Sequence, residues 1–151
     1  DFQWVCHALE HEKCDCFVIL RPTNPFRTVS TILRAWLKFI NEQPCDSLRA
    51  IEATTLHKMW WKYKDRAFPI MTDLINGRPC YDMPTQLLPV CYKQNGCIQI
   101  AHTSVLERFG NVTGIDVVPF IMEGIEGFDI NTAEDLRYAE WRVEGHGTIL
   151  Y

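Results

Sequence analysis

The feature that most constrains the fold is an uninterrupted apolar run, Cys16-Phe17-Val18-Ile19-Leu20, that ends shortly before Pro22. A run this short, with no polar alternation, is typical of a strand buried on both faces of a sheet. Residues 28–41 then predict a helix, with Thr28 or Ser30 available as its cap. Apolar residues share one face of that helix: Val29, Ile32, Leu33, Trp36, Leu37 and Ile40.

The same alternation of strand and helix patterns continues along the chain. Further strands are predicted at residues 47–53, 96–101 and 117–122, and further helices at 2–12, 104–109 and 132–142. A hairpin is predicted over 58–70, and residues 72–95 are expected to be rich in loops. This pattern predicts one α/β domain over residues 1–151, with three layers: a mainly parallel sheet and helices on both of its faces.

Composition narrows the classes of function. The chain has 151 residues, 47% hydrophobic and 23% charged, with a formal net charge of −4. There is no basic stripe, so we expect no nucleic-acid partner. No apolar run approaches the roughly 20 residues of a membrane span, so we expect no membrane association. Seven scattered cysteines without a C-x-x-C pair favour reduced, mostly buried thiols in a cytoplasmic protein over a zinc framework.

Four segments are predicted at the carboxyl ends of strands, where ligands bind in open α/β sheets. They are residues 21–27, the loop before Lys58, residues 84–95 and residues 129–131. In the first segment, Arg21 and Arg27 can bind a carboxylate or phosphate through paired donors. Pro22 fixes the backbone beside them, while Thr23 and Asn24 offer side-chain donors. The alternative is a rigid turn with solvated arginines.

Asp129 and Asn131 are candidate ligands for a divalent metal ion. In an extended segment, positions i and i+2 point to the same face, so two side-chain oxygens can share one hard cation. Mg²⁺ prefers such oxygen ligands, and the amide of Asn131 contributes no charge. The alternative is that Asn131 and Thr132 only begin the last helix.

Three further positions carry polar groups with a plausible structural alternative. Asn95-Gly96 allows close backbone approach to a ligand, or forms an ordinary turn. Lys58, which follows the second of these four segments, has a solvated lysine of a hairpin strand as its structural interpretation. His7 and His11 have the i, i+4 spacing of a two-histidine metal site, but no H-E-x-x-H motif accompanies them, and a solvated helix face is the favoured interpretation.

Across residues 13–142 the chain resembles the acylneuraminate cytidylyltransferases. The similarity is carried by five segments in order: Leu20-Arg21-Pro22-Thr23-Asn24-Pro25-Phe26-Arg27, Lys58-Met59-Trp60, Pro84-Thr85-Gln86-Leu87-Leu88-Pro89, Gln94-Asn95-Gly96-Cys97-Ile98, and Phe128-Asp129-Ile130-Asn131-Thr132 with Glu134-Asp135-Leu136. It implies a Rossmann-like fold and a transfer of CMP from CTP to a 2-keto sugar acid, with release of pyrophosphate. It also implies Mg²⁺ as cofactor and a homodimer, with residues 58–95 as the dimerisation arm.

The resemblance also implies roles for single residues. Asp129 and Arg27 take catalytic roles, and Asp129 and Asn131 hold the metal ion. The implied substrate-binding residues are Arg21, Pro22, Thr23, Asn24, Lys58, Gln86, Asn95 and Gln99.

Several positions depart from the family's pattern. The family commonly has Gln at Arg21, Ser at Asn24, Arg at Thr85, Tyr at Gln99 and Asp at Asn131. We hypothesise that Arg21 replaces the positive charge lost at Thr85. The family's N-terminal nucleotide-binding loop has no counterpart in residues 1–20, so we expect an incomplete, N-terminally truncated enzyme with little activity alone. The alternatives are a non-catalytic binding or assembly module, and a nucleotidyltransferase that uses another base or sugar.

Overall fold

The computed structural model describes residues 1–54, 56, 58–72, 74, 75 and 77–146. The helices are α1 (Phe2–His11), α2 (Val29–Asn41), α3 (Ser104–Phe109) and α4 (Ala133–His146). The strands are β1 (Cys16–Leu20), β2 (Ser47–Thr54), β3 (Trp60–Tyr63), β4 (Arg66–Pro69), β5 (Leu74–Ile75), β6 (Arg78–Pro79), β7 (Cys91–His102) and β8 (Val117–Met122). Within the described residues, no helix is long and apolar enough to cross a membrane.

The chain forms two compact units. The first comprises Asp1–Glu52 and Gln94–Tyr151, and the second comprises Ala53–Lys93. The second unit contains the predicted hairpin, formed by antiparallel β3 and β4, and a short antiparallel pair, β5 and β6. The dimerisation role of residues 58–95 stays a prediction.

The main sheet has four strands in the order β1–β7–β2–β8. β1 pairs with β7 in antiparallel orientation, and β2 pairs with β8 in parallel orientation. The N–H of His102 donates to the carbonyl of Asp46 at 3.2 Å, so β7 ends where β2 begins and these neighbours run in opposite directions. The prediction of a three-layer, mainly parallel, Rossmann-like sheet was therefore wrong. The fold is mixed α/β, with one mixed sheet and separate antiparallel pairs.

The reversal of β7 has a physical cause in the segment before it. Parallel neighbours need a long crossover connection, which is usually a helix. Between β2 and β7, the described residues form only short strands and two 3₁₀ turns, Cys80–Asp82 and Thr85–Leu87. Without a crossover helix, the chain re-enters the sheet at the end where β2 left it. Asn95 Nδ2, near the start of β7, accordingly lies 3.3 Å from Glu52 Oε2 in β2.

The larger hydrophobic core lies beneath α2. Ala35 and Phe39 of α2 are buried against residues of the three strands β7, β2 and β8, including Leu48, Ile100 and Phe120. Ala35, Phe39 and the polar Thr31 are the buried residues of α2.

The apolar face predicted for α2 from its sequence is mostly exposed. Ile32 is half-buried, whereas Val29, Leu33, Trp36, Leu37 and Ile40 are exposed. The apolar residues of α2 occupy more than one face of the helix, and only tertiary packing selects the face that enters the core.

A second, smaller core holds α1 against the sheet. Val5 of α1 is buried with Ile19 of β1 and Val112, and Leu9 and Phe17 pack around them. Successive side chains of a strand point to opposite faces of the sheet. Cys16 of β1 therefore packs in the core beneath α2, whereas Phe17 and Ile19 pack in the core beneath α1.

The cysteines are free thiols as predicted, but only Cys80 and Cys97 are buried, so the prediction of mostly buried thiols was wrong.

Helix ends follow the local sequence signals. Thr28 caps α2 by accepting a hydrogen bond from the N–H of Thr31 at 3.1 Å. Gly110 ends α3 in the left-handed conformation, with a φ of 63°. At the start of α4, Asp135 accepts from the N–H of Thr132 at 2.8 Å, and the Thr132 hydroxyl accepts from the N–H of Asp135 at 3.2 Å. This reciprocal pair is a capping box with Asp in place of Glu.

Phe39 and Leu37 provide a matched test of which face of α2 stabilises the fold. Phe39 is 1% exposed and Leu37 is 53% exposed. We expect Phe39→Ala to lower the free energy of unfolding by about 3–5 kcal/mol, because it removes a buried ring and leaves a cavity. We expect Leu37→Ala to change it by less than about 1 kcal/mol. Urea denaturation measures both, and equal losses would contradict the assignment of the core face.

Candidate substrate-binding site

Asn24 connects three segments at one end of the main sheet. It follows β1 and is buried, with 3% of its surface exposed. Its Nδ2 donates to the carbonyl of Asn95 at 3.3 Å and to the carbonyl of Phe128 at 3.1 Å. Its Oδ1 is buried and has no hydrogen-bond partner among the described residues. The side-chain nitrogen of Asn24 therefore joins the loop after β1 to the backbone at Asn95 and Phe128. Only its side-chain oxygen is available to a ligand.

Arg27 fixes the same loop to β7. Its Nη1 donates to the carbonyl of Arg21 at 3.1 Å and to the carbonyl of Cys97 at 2.9 Å. Two carbonyl acceptors on one nitrogen orient the guanidinium and hold its charge at the sheet end. Cys97 is not a candidate nucleophile there, because burial raises the pKa of its thiol and the thiolate is the reactive form.

Arg21 lies beside the backbone of Gly96. Gly96 has a φ of +72°, and a Cβ added to it would lie 3.2 Å from Cδ of Arg21. Both the backbone conformation and the close approach favour glycine at this position. Arg21 also forms an ion pair with the carboxylate of Asp1. Pro22 and Thr23 next to it are exposed.

Asn95 is held by its neighbours on every side. It is 6% exposed, its Nδ2 lies 3.3 Å from Glu52 Oε2, and its Oδ1 accepts from the N–H of Cys97 at 3.1 Å. A Cβ on Gly127 would lie 2.3 Å from Asn95 Nδ2, so glycine allows this close packing. The side chain of Asn95 therefore organises the site through contacts within the protein.

Asp129 is the predicted residue with the clearest unused ligand atom. Its Oδ1 is buried and has no hydrogen-bond partner among the described residues, while its Oδ2 accepts from Asn131 Nδ2 at 3.1 Å. The N–H of Ile130 donates to the carbonyl of Thr23 at 2.9 Å, which ties this segment to the loop after β1.

The donor set of Asp129 and Asn131 fits a hard cation. A buried, unpartnered carboxylate oxygen costs free energy unless a cation or a donor meets it. Asn131 directs its amide nitrogen toward the other carboxylate oxygen. Rotation of that amide would present its oxygen instead, so Asp129 is the principal ligand and Asn131 a secondary one.

Glu126 is a second carboxylate near this end of the sheet. It accepts hydrogen bonds from Thr31 Oγ1 at 2.7 Å and from Arg34 Nη2 at 2.6 Å. Burial raises the pKa of its carboxyl, but the hydrogen bonds from Thr31 and Arg34 outweigh burial and leave the pKa below its ordinary value. Glu126 therefore stays charged and fixes the loop after β8 to α2.

The remaining predicted residues lie elsewhere. Gln99 is buried in β7, and its side-chain nitrogen donates to the carbonyl of Val112. Lys58 and Gln86 belong to the second unit, where both are exposed, Gln86 in the turn Thr85–Leu87. Their substrate-binding roles stay predictions.

Glu52, Glu126 and Gly127 take part in the site but were missed from the sequence. Glu52 was within reach of prediction, because it lies near the carboxyl end of β2, where ligands bind in such sheets. Glu126 and Gly127 follow β8 in a turn whose contacts arise only in the folded chain.

Comparison of the chain with protein-family models and with curated proteins finds no match. Any assignment of function therefore depends on the sequence segments that resemble the cytidylyltransferases and on the geometry of this site.

Asn24 offers a test of the contacts that assemble the site. We expect Asn24→Ala to lower the free energy of unfolding by about 1–3 kcal/mol, because it leaves the carbonyls of Asn95 and Phe128 without their donor. Thr23→Ala is the control, since Thr23 contributes its backbone carbonyl to Ile130 and keeps it in the variant. Equal stability of the two variants in urea denaturation would show that Asn24 does not hold these segments together.

Proposed function

We propose that this protein is a sugar nucleotidyltransferase that transfers CMP from CTP to a 2-keto sugar acid resembling an acylneuraminate. The observation that carries the proposal is the convergence of three segments around the unpartnered oxygen of Asp129. They are three of the five segments of the resemblance, and Asn24, Arg27 and the Thr23–Ile130 hydrogen bond join them. The proposal depends on this site and not on the order or direction of the strands.

The proposed reaction is a displacement at phosphorus. The anomeric hydroxyl oxygen of the sugar acid forms a bond to the α-phosphorus of CTP. The bond from that phosphorus to the bridging oxygen breaks, pyrophosphate leaves, and the hydroxyl proton passes to solvent. Catalysis of such a transfer depends mainly on positioning and on stabilisation of charge.

The residues at the site supply charges of both signs for this chemistry. Asp129, with Asn131, would hold Mg²⁺, which neutralises charge on the triphosphate when bound. Arg27 holds a fixed positive charge through its two carbonyl contacts. Arg21 lies next to Gly96 and is the candidate clamp for the sugar carboxylate.

Further parts of the proposal come from the resemblance alone. They are a homodimer that uses residues 58–95 and substrate contacts by Lys58 and Gln86. The proposed cytoplasmic location comes instead from the scattered cysteines without a C-x-x-C pair. A non-catalytic binding or assembly module is the competing function, and binding of CTP separates the two.

Asp129 tests the proposed function directly. We expect the chain to bind CTP only when Mg²⁺ is present, and Asp129→Ala to weaken that binding by at least about tenfold, because it removes the principal metal ligand. Isothermal titration with CTP, with and without Mg²⁺, measures the effect. Glu134→Ala is the control, since its exposed carboxylate pairs with Arg137 on α4. If the unsubstituted chain does not bind CTP, the enzyme proposal fails and the non-catalytic module is favoured.

Arg21 tests the proposed contact with the acidic sugar. We expect Arg21→Gln to weaken binding of N-acetylneuraminate by about tenfold, which corresponds to loss of one charge-assisted contact of about 1.4 kcal/mol. Arg137→Gln is the control, because Arg137 is an exposed arginine paired with Glu134. Equal affinity of Arg21→Gln and the unsubstituted chain would remove Arg21 from the sugar site.

A further inference from the structure

We propose that His7, Glu10 and His11 form a surface site for a divalent metal ion that is intermediate between hard and soft, such as Zn²⁺. This site is separate from the proposed nucleotidyltransferase site and does not depend on it. Within the described residues, these three form the one group of three or more histidine, cysteine or carboxylate side chains whose ligand atoms are close enough to share an ion.

The geometry of α1 brings the three side chains together. Residues at i, i+3 and i+4 lie on one face of a helix, and α1 carries His7, Glu10 and His11 at that spacing. The two imidazole rings are 5.2 Å apart and nearly perpendicular, and His7 Nδ1 lies 3.5 Å from Glu10 Oε2. One ligand atom from each residue lies within 4.8 Å of the others.

These separations are compatible with a single ion after small side-chain rotations. Ligands that bind zinc tetrahedrally at about 2.0–2.1 Å lie about 3.3–3.4 Å from one another. The contact between His7 and Glu10 is already close to this value, so only modest movement of the third ligand is needed. All three side chains are exposed, which leaves the rotations unhindered and the ion accessible.

The backbone beneath the site is held in place by packing. On its other face, α1 buries Val5 at 3% exposure against Ile19 and Val112. The helix therefore does not have to form when the ion binds, and binding costs only side-chain entropy. Glu10 and His11 lie in the last turn of α1, where the helix dipole favours a positive charge.

The ligand types select the class of metal. Two imidazole nitrogens and one carboxylate oxygen suit Zn²⁺, Ni²⁺ or Cu²⁺, whereas Mg²⁺ prefers oxygen ligands alone. The site therefore differs in chemistry from Asp129 and Asn131. Three protein ligands also leave at least one coordination position open to water or to a fourth ligand.

Thiols are the main competitors for the same ion. Cys6 and Cys14 line a surface cavity next to α1 that Glu10 and Glu12 also line. A soft thiolate pair binds Zn²⁺ well, so a test must separate thiol ligands from imidazole ligands.

The experiment is a titration of the reduced full chain with ZnCl₂ in a buffer that does not chelate metal, followed by calorimetry. We expect one ion to bind and excess Mg²⁺ not to displace it. Removal of a residue that only hydrogen-bonds to a metal ligand typically lowers metal affinity about 10–100-fold. His11→Ala removes a ligand itself, so we expect it to lower Zn²⁺ affinity at least about tenfold. Glu10→Gln should weaken binding by a smaller but measurable factor, because the charge is lost and an amide oxygen remains.

Two control variants make the result decisive. His102→Gln removes a histidine whose Nε2 bonds to Gln43, and it should leave Zn²⁺ affinity unchanged. The double variant Cys6→Ser/Cys14→Ser should also bind Zn²⁺ as the unsubstituted chain does. The proposal is overturned if His11→Ala retains full affinity, or if the serine variant loses binding while His11→Ala keeps it. The substituted histidine and glutamate side chains on α1 are exposed, so we expect the variants to fold as the unsubstituted chain does. Circular dichroism checks that their helix content is unchanged.

Discussion

The arrangement of the main unit depends on the insertion of β7 between β1 and β2. Backbone hydrogen bonds of β7 join two strands that would otherwise be unconnected, and its residues Cys97, Ile98 and Ile100 enter the core beneath α2. The same strand contains Asn95 and Gly96, which contact Glu52 and Arg21. One strand thus connects the hydrophobic core to the candidate site, and a change in its register would disturb both.

Most of the polar side chains at the site hold the protein together and are not free to bind a ligand. The amide groups of Asn24 and Asn95 are buried, and each donates or accepts a hydrogen bond within the chain. A buried amide left without partners costs free energy, so such contacts are expected wherever loops converge. Asn24 Oδ1 and Asp129 Oδ1 differ, because both are buried without a hydrogen-bond partner among the described residues. These two oxygens are therefore the candidate ligand atoms of the site.

The two proposed metal sites illustrate how ligand chemistry and burial separate functions in one chain. Asp129 offers a partly buried carboxylate at the end of the sheet, suited to a hard cation that accompanies phosphate. His7, Glu10 and His11 offer an exposed set with two nitrogens, suited to an ion intermediate between hard and soft. Neither site takes ligands from the other, so each can be removed by substitution without loss of the other.

The sequence by itself determined where most helices and strands begin and end. The apolar run at 16–20, the cap at Thr28, Gly110 after α3 and the pair Thr132–Asp135 are local signals, and each depends on residues within one turn of the chain. It also placed Asn24, Arg27, Asn95 and Asp129 in segments predicted at the ends of strands, and these segments converge in the structure. Tertiary structure decided the direction of β7 and the buried face of α2. A strand's pattern is the same in either direction, and the direction of β7 follows from the connection before it, which has no crossover helix among the described residues. The apolar residues of α2 fill more than one face, so long-range packing selected the face that is buried.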